Sequence, residues 1–171
     1  MRFLKGFIVV VGLSLVLISC SQSKPMRGGY SGAPSSHSSM IKDLEQSGMQ
    51  VVQQGNWVTI VLPARNFFKS QKGELLPGQA EALLDLAAFV RTYPYSPVKV
   101  LGFSDNIGTP GQQYYRSLNE AEIVAAFLWR GGVALDRTTI QALGAGDTVA
   151  SNATPPGRNA NERVEVWINR Q

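Results

Sequence analysis

Residues 98–128 read as a buried strand, a tight polar loop and a long amphipathic helix, and that succession limits the chain to a few architectures. Val98, Val100 and Leu101 supply the apolar strand, and Gly102, Phe103, Ser104, Asp105, Asn106, Ile107 and Gly108 supply the loop. Thr109 and Pro110 then provide an N-cap and a first-turn proline, the pairing expected where a helix starts. Beyond them Tyr114, Leu118 or Ser117, Ala121, Val124, Ala125 and Leu128 recur at a spacing that gathers them on one face. Gly131 and Gly132 stop the helix, with Arg130 at its negative end. A carboxylate set between the end of a buried strand and a helix N-terminus stands where open α/β sheets present ligand-binding groups. Asp105 is that carboxylate.

On the N-terminal side, residues 41–48 read as a short helix or turn. Residues 49–53 and 56–62 read as a hairpin that reverses through Gln54, Gly55 and Asn56. Leu76, Pro77 and Gly78 open a helix whose Ala80, Leu83, Leu84, Ala87 and Val90 share one face, and Pro94 and Pro97 end it. After the second helix, Asp136 caps a single turn before a strand over 139–143. Residues 144–159, rich in Gly, Pro, Asn and Thr, read as a loop of about 16 residues, long enough to suspect function. The chain closes on a strand over 163–168 with the alternation of a half-buried surface. Strands linked through helices favour parallel pairing by right-handed crossovers, while the last strand can pair antiparallel. The expected class is α+β, a mixed sheet with helices packed on one face.

At the N-terminus, Arg2 and Lys5 precede an apolar run over 7–18, and Ser19 stands before the one cysteine of the chain, Cys20. Residues 1–19 read as a signal peptide, since about 12 apolar residues fall short of the roughly 20 that a spanning helix needs. Leu17, Ile18, Ser19 and Cys20 resemble the bacterial lipobox. That resemblance implies acylation of Cys20, palmitate included, and, with Ser21 following, a lipid-anchored address at the outer membrane with the domain facing the periplasm. A plain signal peptide with an incidental cysteine, or a short membrane anchor, is the alternative. Residues 20–40, dominated by Ser, Gly, Pro and Gln, read as a flexible lipidated linker with a span of roughly 25 Å. The sole histidine, His37, falls in it as a solvated residue. Residues 41–171 form the folded domain.

Without Arg2 and Lys5 the chain keeps 14 basic residues against 12 acidic ones, too even a balance to argue for a nucleic-acid partner. The expected domain holds no histidine and no cysteine, and Ser104 has no base in view, so nucleophilic and metal-hydrolytic schemes lack parts. Neither catalysis, cofactor nor metal is expected. Asp105 with Glu120 is the one pair that a carboxylate-only hydrolase could use.

Read together, several segments resemble the OmpA C-terminal domain, the peptidoglycan-associating module of outer-membrane proteins and lipoproteins. They are Phe67 and Phe68 with the helix opening at 75–77; the loop 102–108, similar to Gly-His-Thr-Asp-x-x-Gly; Gly132 and Val133 through Asp136 and Arg137; residues 143–146; and Gly157 and Arg158 with Asn161 to Val166. The resemblance spans about 49–169 and implies a mixed four-stranded sheet with helices on one face. It further implies that the domain grips the diaminopimelate of the peptidoglycan stem, a carboxylate taking its ammonium and a guanidinium taking its carboxylate. Asp105 matches the ammonium-binding aspartate. Fifteen residues on, where the arginine is expected, stands Glu120, exchanging attraction for repulsion on the order of 4 kcal/mol at about 4 Å. Arg116, four residues earlier on the same helix face, is its substitute or its partner. Asn161 and Arg163 match the family's Asn-Arg-Arg motif with Glu162 in place of the first arginine, and Phe103 stands where the family has histidine.

Asp105 read without the resemblance is a capping or Asx-turn residue. Arg163 is then a solvated strand charge or a partner of Glu120 or Asp105. Two functions follow. One is a non-enzymatic outer-membrane lipoprotein that binds peptidoglycan through Asp105, Asn161, Arg163 and Arg116 and so links the membrane or an envelope complex to the cell wall. The alternative is a structural subunit of a type IVB (Dot/Icm) secretion outer-membrane core with a degenerate pocket, its partners being other envelope proteins.

Overall fold

A computed structural model describes residues 36–69 and 73–170. The expected signal peptide, Cys20 and most of the expected linker lie outside the described residues. Helix α1 (His37–Gln46) starts at Ser36, whose hydroxyl accepts from the Ser39 amide. The folded part therefore begins before residue 41. His37 is not a free linker residue: its ring stands 4.9 Å from that of Phe89, and Nε2 is hydrogen-bonded to the Tyr93 hydroxyl at 2.5 Å.

The hairpin forms as β1 (Gln50–Gln54) and β2 (Trp57–Pro63), turning through Gly55 at φ 56°. A single helical turn, α2 (Ala64–Phe67), follows, then α3 (Gln79–Arg91) and β3 (Val98–Phe103). Next come α4 (Pro110–Arg130), a 3-10 turn at Leu135–Arg137 and β4 (Thr138–Gly144). Helix α5 (Pro155–Asn161) occupies the end of the segment expected to be loop, and β5 (Arg163–Asn169) closes the fold. The signal for α5 was present: Thr154 followed by Pro155 repeats the cap-and-proline pairing of Thr109 and Pro110, and the Thr154 hydroxyl accepts from the Gly157 amide at 3.3 Å.

The sheet has five strands rather than four, in the order β1-β2-β5-β3-β4. Strands β3 and β4 pair parallel, as a helix-linked pair should, and the other neighbours pair antiparallel, with β5 inserted between β2 and β3. The hairpin adds β1 as the extra edge strand. Val58, Ile60 and Leu62 of β2, Val98 and Val100 of β3, and Val164, Val166 and Ile168 of β5 are buried on one face. Helix α4 lies across β3 and β4, α3 packs beside α4, and α1 packs on α3 and β1.

The helix faces shift slightly from expectation. In α3, Ala82, Leu86 and Phe89 are buried beside Leu83, Ala87 and Val90, whereas Ala80 is exposed. In α4, Ser117 turns inward and Tyr114 outward, and Glu120 joins the buried face. The approach of α4 to β3 depends on Gly102, because a Cβ there would stand 1.9 Å from the Ser117 carbonyl oxygen. That contact sets the first turns of α4 directly over the end of β3.

Candidate functional site

Beyond Phe103, the Ser104 amide donates to the Gly144 carbonyl at 2.7 Å, tying the loop to the end of β4. The Asp105 carboxylate accepts from the Ile107 amide at 3.0 Å, so it does close an Asx-type turn. Gly108 then takes φ 92°, a left-handed conformation in which a side chain would be strained. Thr109 and Gln112 form a reciprocal capping box: the Gln112 amide donates to the threonine hydroxyl at 3.3 Å, and the Thr109 amide donates to Gln112 Oε1 at 2.8 Å. Local chemistry thus fixes both the aspartate and the direction in which α4 leaves.

Two turns along α4, Arg116 reaches back over the loop. Its Nη1 donates to Asp105 Oδ1 at 3.3 Å and to Glu162 Oε1 at 2.8 Å, and its Nη2 donates to the Ile107 carbonyl at 3.5 Å. Glu162 comes from the end of α5, whose position is tied to α2 by the Ala64 amide donating to the Glu162 carbonyl at 2.9 Å. A cavity of about 800 Å³ opens here, walled by Asp105, Arg116, Asn119, Arg158 and Glu162 with Tyr115 and Pro155. Two acids and two arginines therefore face one space, which suits a ligand end that carries both an ammonium and a carboxylate.

Burial sets the electrostatics of this region. Asp105 is 3% exposed and Glu120 4%. Burial pushes the Glu120 carboxyl up to about 8, the neighbouring Glu162 adds to the rise, and Arg116 opposes it. The Glu162 carboxyl is raised for the same reason, reinforced by Asp105 and countered by Arg116 and Arg158. One guanidinium thus pairs with two carboxyl groups, at the end of α5 and in the β3–α4 loop, and offsets part of the rise of a third on α4.

Arg163 and Asn161 have other partners. Both sit at the same end of the sheet as Asp105, since Arg163 pairs with Phe103 across β5 and β3. The Arg163 guanidinium lies 3.8 Å above the Phe103 ring and donates to Glu165 Oε1 at 2.6 Å and to the carbonyls of Asn161 and Asp147 at 3.2 Å each. It pairs with neither Glu120 nor Asp105 and does not line the cavity. Asn161 is fully buried. Its Oδ1 accepts from the amides of Val149 and Ala150 at 2.9 and 3.0 Å, and its Nδ2 donates to the Ala150 carbonyl and Asn152 Oδ1. The structure thus brings Asp105 and Arg116 together and sets Asn161 and Arg163 behind them as a clasp on the β4–α5 loop. Arg158, which lines the cavity, was hidden by the reading of its segment as loop.

Residues 67–162 match the OmpA family over the strand, loop and helix that build this cavity. The chain belongs to the OmpA family. Within it, the chain is 31% identical over 122 residues to the probable lipoprotein YiaD of Escherichia coli, covering 71% of this chain and 56% of that protein. It is 37% identical over 102 residues to the peptidoglycan-binding protein ArfA of Mycobacterium tuberculosis, covering 60% of this chain and 31% of the relative. The chain therefore spans about half the length of the first relative and a third of the second. Among solved structures, the cell wall anchor of the T6SS from Pseudomonas aeruginosa superposes with a TM-score of 0.68 at 25% identity, covering 76% of this chain and 93% of that one. Among the described residues no helix is long and apolar enough to cross a membrane.

Proposed function

We propose that this chain is a non-enzymatic outer-membrane lipoprotein, anchored through acylated Cys20, whose periplasmic OmpA-family domain holds peptidoglycan. The observation that carries the reading is the contact of Arg116 with Asp105 inside the cavity. The guanidinium missing at position 120 is supplied one helical turn earlier. In this reading the ammonium of a diaminopimelate stem is received by Asp105 and Glu162, and its carboxylate by Arg116 and Arg158. Asn161 and Arg163 act behind the site by holding the β4–α5 loop. The similarity to relatives named as a lipoprotein, as peptidoglycan-binding and as a cell wall anchor supports the same assignment.

Sedimentation of the full chain with purified sacculi tests it. The wild type is expected to pellet with the sacculi and Asp105→Ala to remain in the supernatant. Wild-type protein left in the supernatant sinks the reading. Glutamates at 120 and 162, where the family resemblance leads one to expect arginines, favour a second reading: a structural subunit of a type IVB secretion core that contacts envelope proteins instead. That reading requires co-purification with such proteins and no sedimentation.

A further inference from the structure

The end of the sheet opposite the cavity gathers basic and aromatic side chains. Trp57 at the start of β2 pairs with Asn169 at the end of β5, and Val98 at the start of β3 pairs with Ile168 of β5 and Thr138 of β4. Arginines tie the surrounding connections together. Arg137 donates to the Tyr93 and Ser96 carbonyls at 3.0 and 2.7 Å, Arg91 to the Gly131 carbonyl at 3.5 Å, and Arg170 to the Gly55 carbonyl at 2.6 Å. Of the 14 basic and 12 acidic residues after residue 19, Arg91, Lys99, Arg130, Arg137 and Arg170 stand at this end against Asp136. The rest of the chain after residue 19 is left with nine basic residues against eleven acidic ones, so charge is segregated by position. None of the five pairs with a carboxylate among the described residues, and Arg91, Lys99 and Arg130 are exposed.

Large apolar side chains are exposed at the same end: Tyr95 is 94% exposed, Leu135 65% and Trp57 38%. Tyr95 and Leu135 belong to the two connections that Arg137 ties together. Aromatic rings beside guanidinium groups suit the boundary of a bilayer, with the rings at headgroup depth and the cations on anionic headgroups. The chain leaves towards Cys20 from this end as well, because His37, the first residue of α1, is bonded to Tyr93. Residues 20–35 are 16 in number and in any conformation span no more than about 55 Å. An acyl group on Cys20 therefore keeps a bilayer within that reach of this end, at an effective concentration that makes weak contacts count. An acidic protein would answer the charge too, but only the bilayer is brought here by the chain itself.

We propose that this end of the domain docks on an anionic phospholipid bilayer, with Arg91 and Arg130 meeting headgroup phosphates and Tyr95 and Leu135 entering the headgroup layer. Docked so, the domain turns its cavity away from the membrane, since Asp105 lies past the far end of β3. The bilayer as partner rests on the acylation of Cys20 proposed above. The test uses the full acylated chain in phosphatidylethanolamine vesicles with or without phosphatidylglycerol, carrying a nitroxide at Ala134→Cys or, at the opposite end, at Ala160→Cys. Acylated Cys20 does not take the label. With phosphatidylglycerol present, the label at 134 is expected to be shielded from an aqueous nickel chelate and the label at 160 to stay accessible. High salt or Arg91→Glu with Arg130→Glu is expected to remove the shielding, and Arg91→Gln with Arg130→Gln, milder at the helix ends, to reduce it. Equal accessibility in both kinds of vesicle, or shielding that survives the charge reversal in a chain of unchanged circular dichroism, would overturn the proposal. Shielding in detergent that grows with protein concentration would overturn it too, as a contact between copies. If mass spectrometry finds Cys20 unmodified, the anchor has failed by itself, and docking is decided by co-sedimentation of the unacylated chain with phosphatidylglycerol vesicles. Binding at least about tenfold weaker in the charge-reversed chain supports docking, and equal binding refutes it.

Discussion

Replacing Glu120 by glutamine should stabilise this protein by an amount that grows with pH. The substitution keeps the size of the side chain and removes only its ability to ionise. A carboxyl held up to about 8 in the fold and near 4.5 in the unfolded chain keeps a proton that the unfolded chain releases. Stability is therefore highest below about 4.5 and falls as pH rises towards 8. Evaluated by proton linkage, the cost relative to a neutral isostere is about 1 kcal/mol at pH 5, about 3 kcal/mol at pH 7 and about 5 kcal/mol at pH 9. Urea unfolding of the full-length wild type and Glu120→Gln at those three pH values reads the difference directly from the midpoints, provided the slopes agree. A gain that does not change with pH, or a loss of stability at pH 9, would refute the account of Glu120 as an acid raised by burial.

Arg116→Met should abolish sacculus binding and destabilise the fold by about 3 kcal/mol at pH 7, because it leaves Asp105 and Glu162 facing each other without their shared cation. The deficit should shrink as pH falls and the raised Glu162 carboxyl protonates, which thermal unfolding from pH 7 down to pH 4 would reveal. Gly102→Ala should cost about 3 kcal/mol or prevent folding, since its methyl would stand 1.9 Å from the Ser117 carbonyl oxygen; denaturant titration followed by circular dichroism checks this. Asn161→Ala should cost about 2 kcal/mol and speed hydrogen exchange at the Val149 and Ala150 amides, with the β3–α4 loop amides unchanged.

The charges around Arg116 depend on one another. An arginine at position 120 and another at 162 would each stand near Arg116 and repel it. Glutamates at both positions instead stand beside it, so the two acids and the arginine make sense only as a set. Glu162 pairs with Arg116 directly at 2.8 Å, whereas Glu120 lines a separate cavity of about 310 Å³ that Arg116 also walls.

The strand, loop and helix of 98–128 were legible because each obeys local rules: an apolar run, an Asx-type turn, a threonine cap before proline, and inward residues three and four apart. The hairpin, both long helices and the final strand follow from the same rules, and so does the place of Asp105 at the end of β3. What the sequence alone left open were the contacts between segments far apart in the chain. Arg116 meets Glu162 across 46 residues, Arg163 turns to Glu165 and Phe103 instead of the cavity, and Asn161 spends its amide on the loop before it. Backbone periodicity reports which face a residue occupies. Only the packing of α4 and α5 around the end of the sheet decides which charges share a space, and how far that space raises the cost of ionising them.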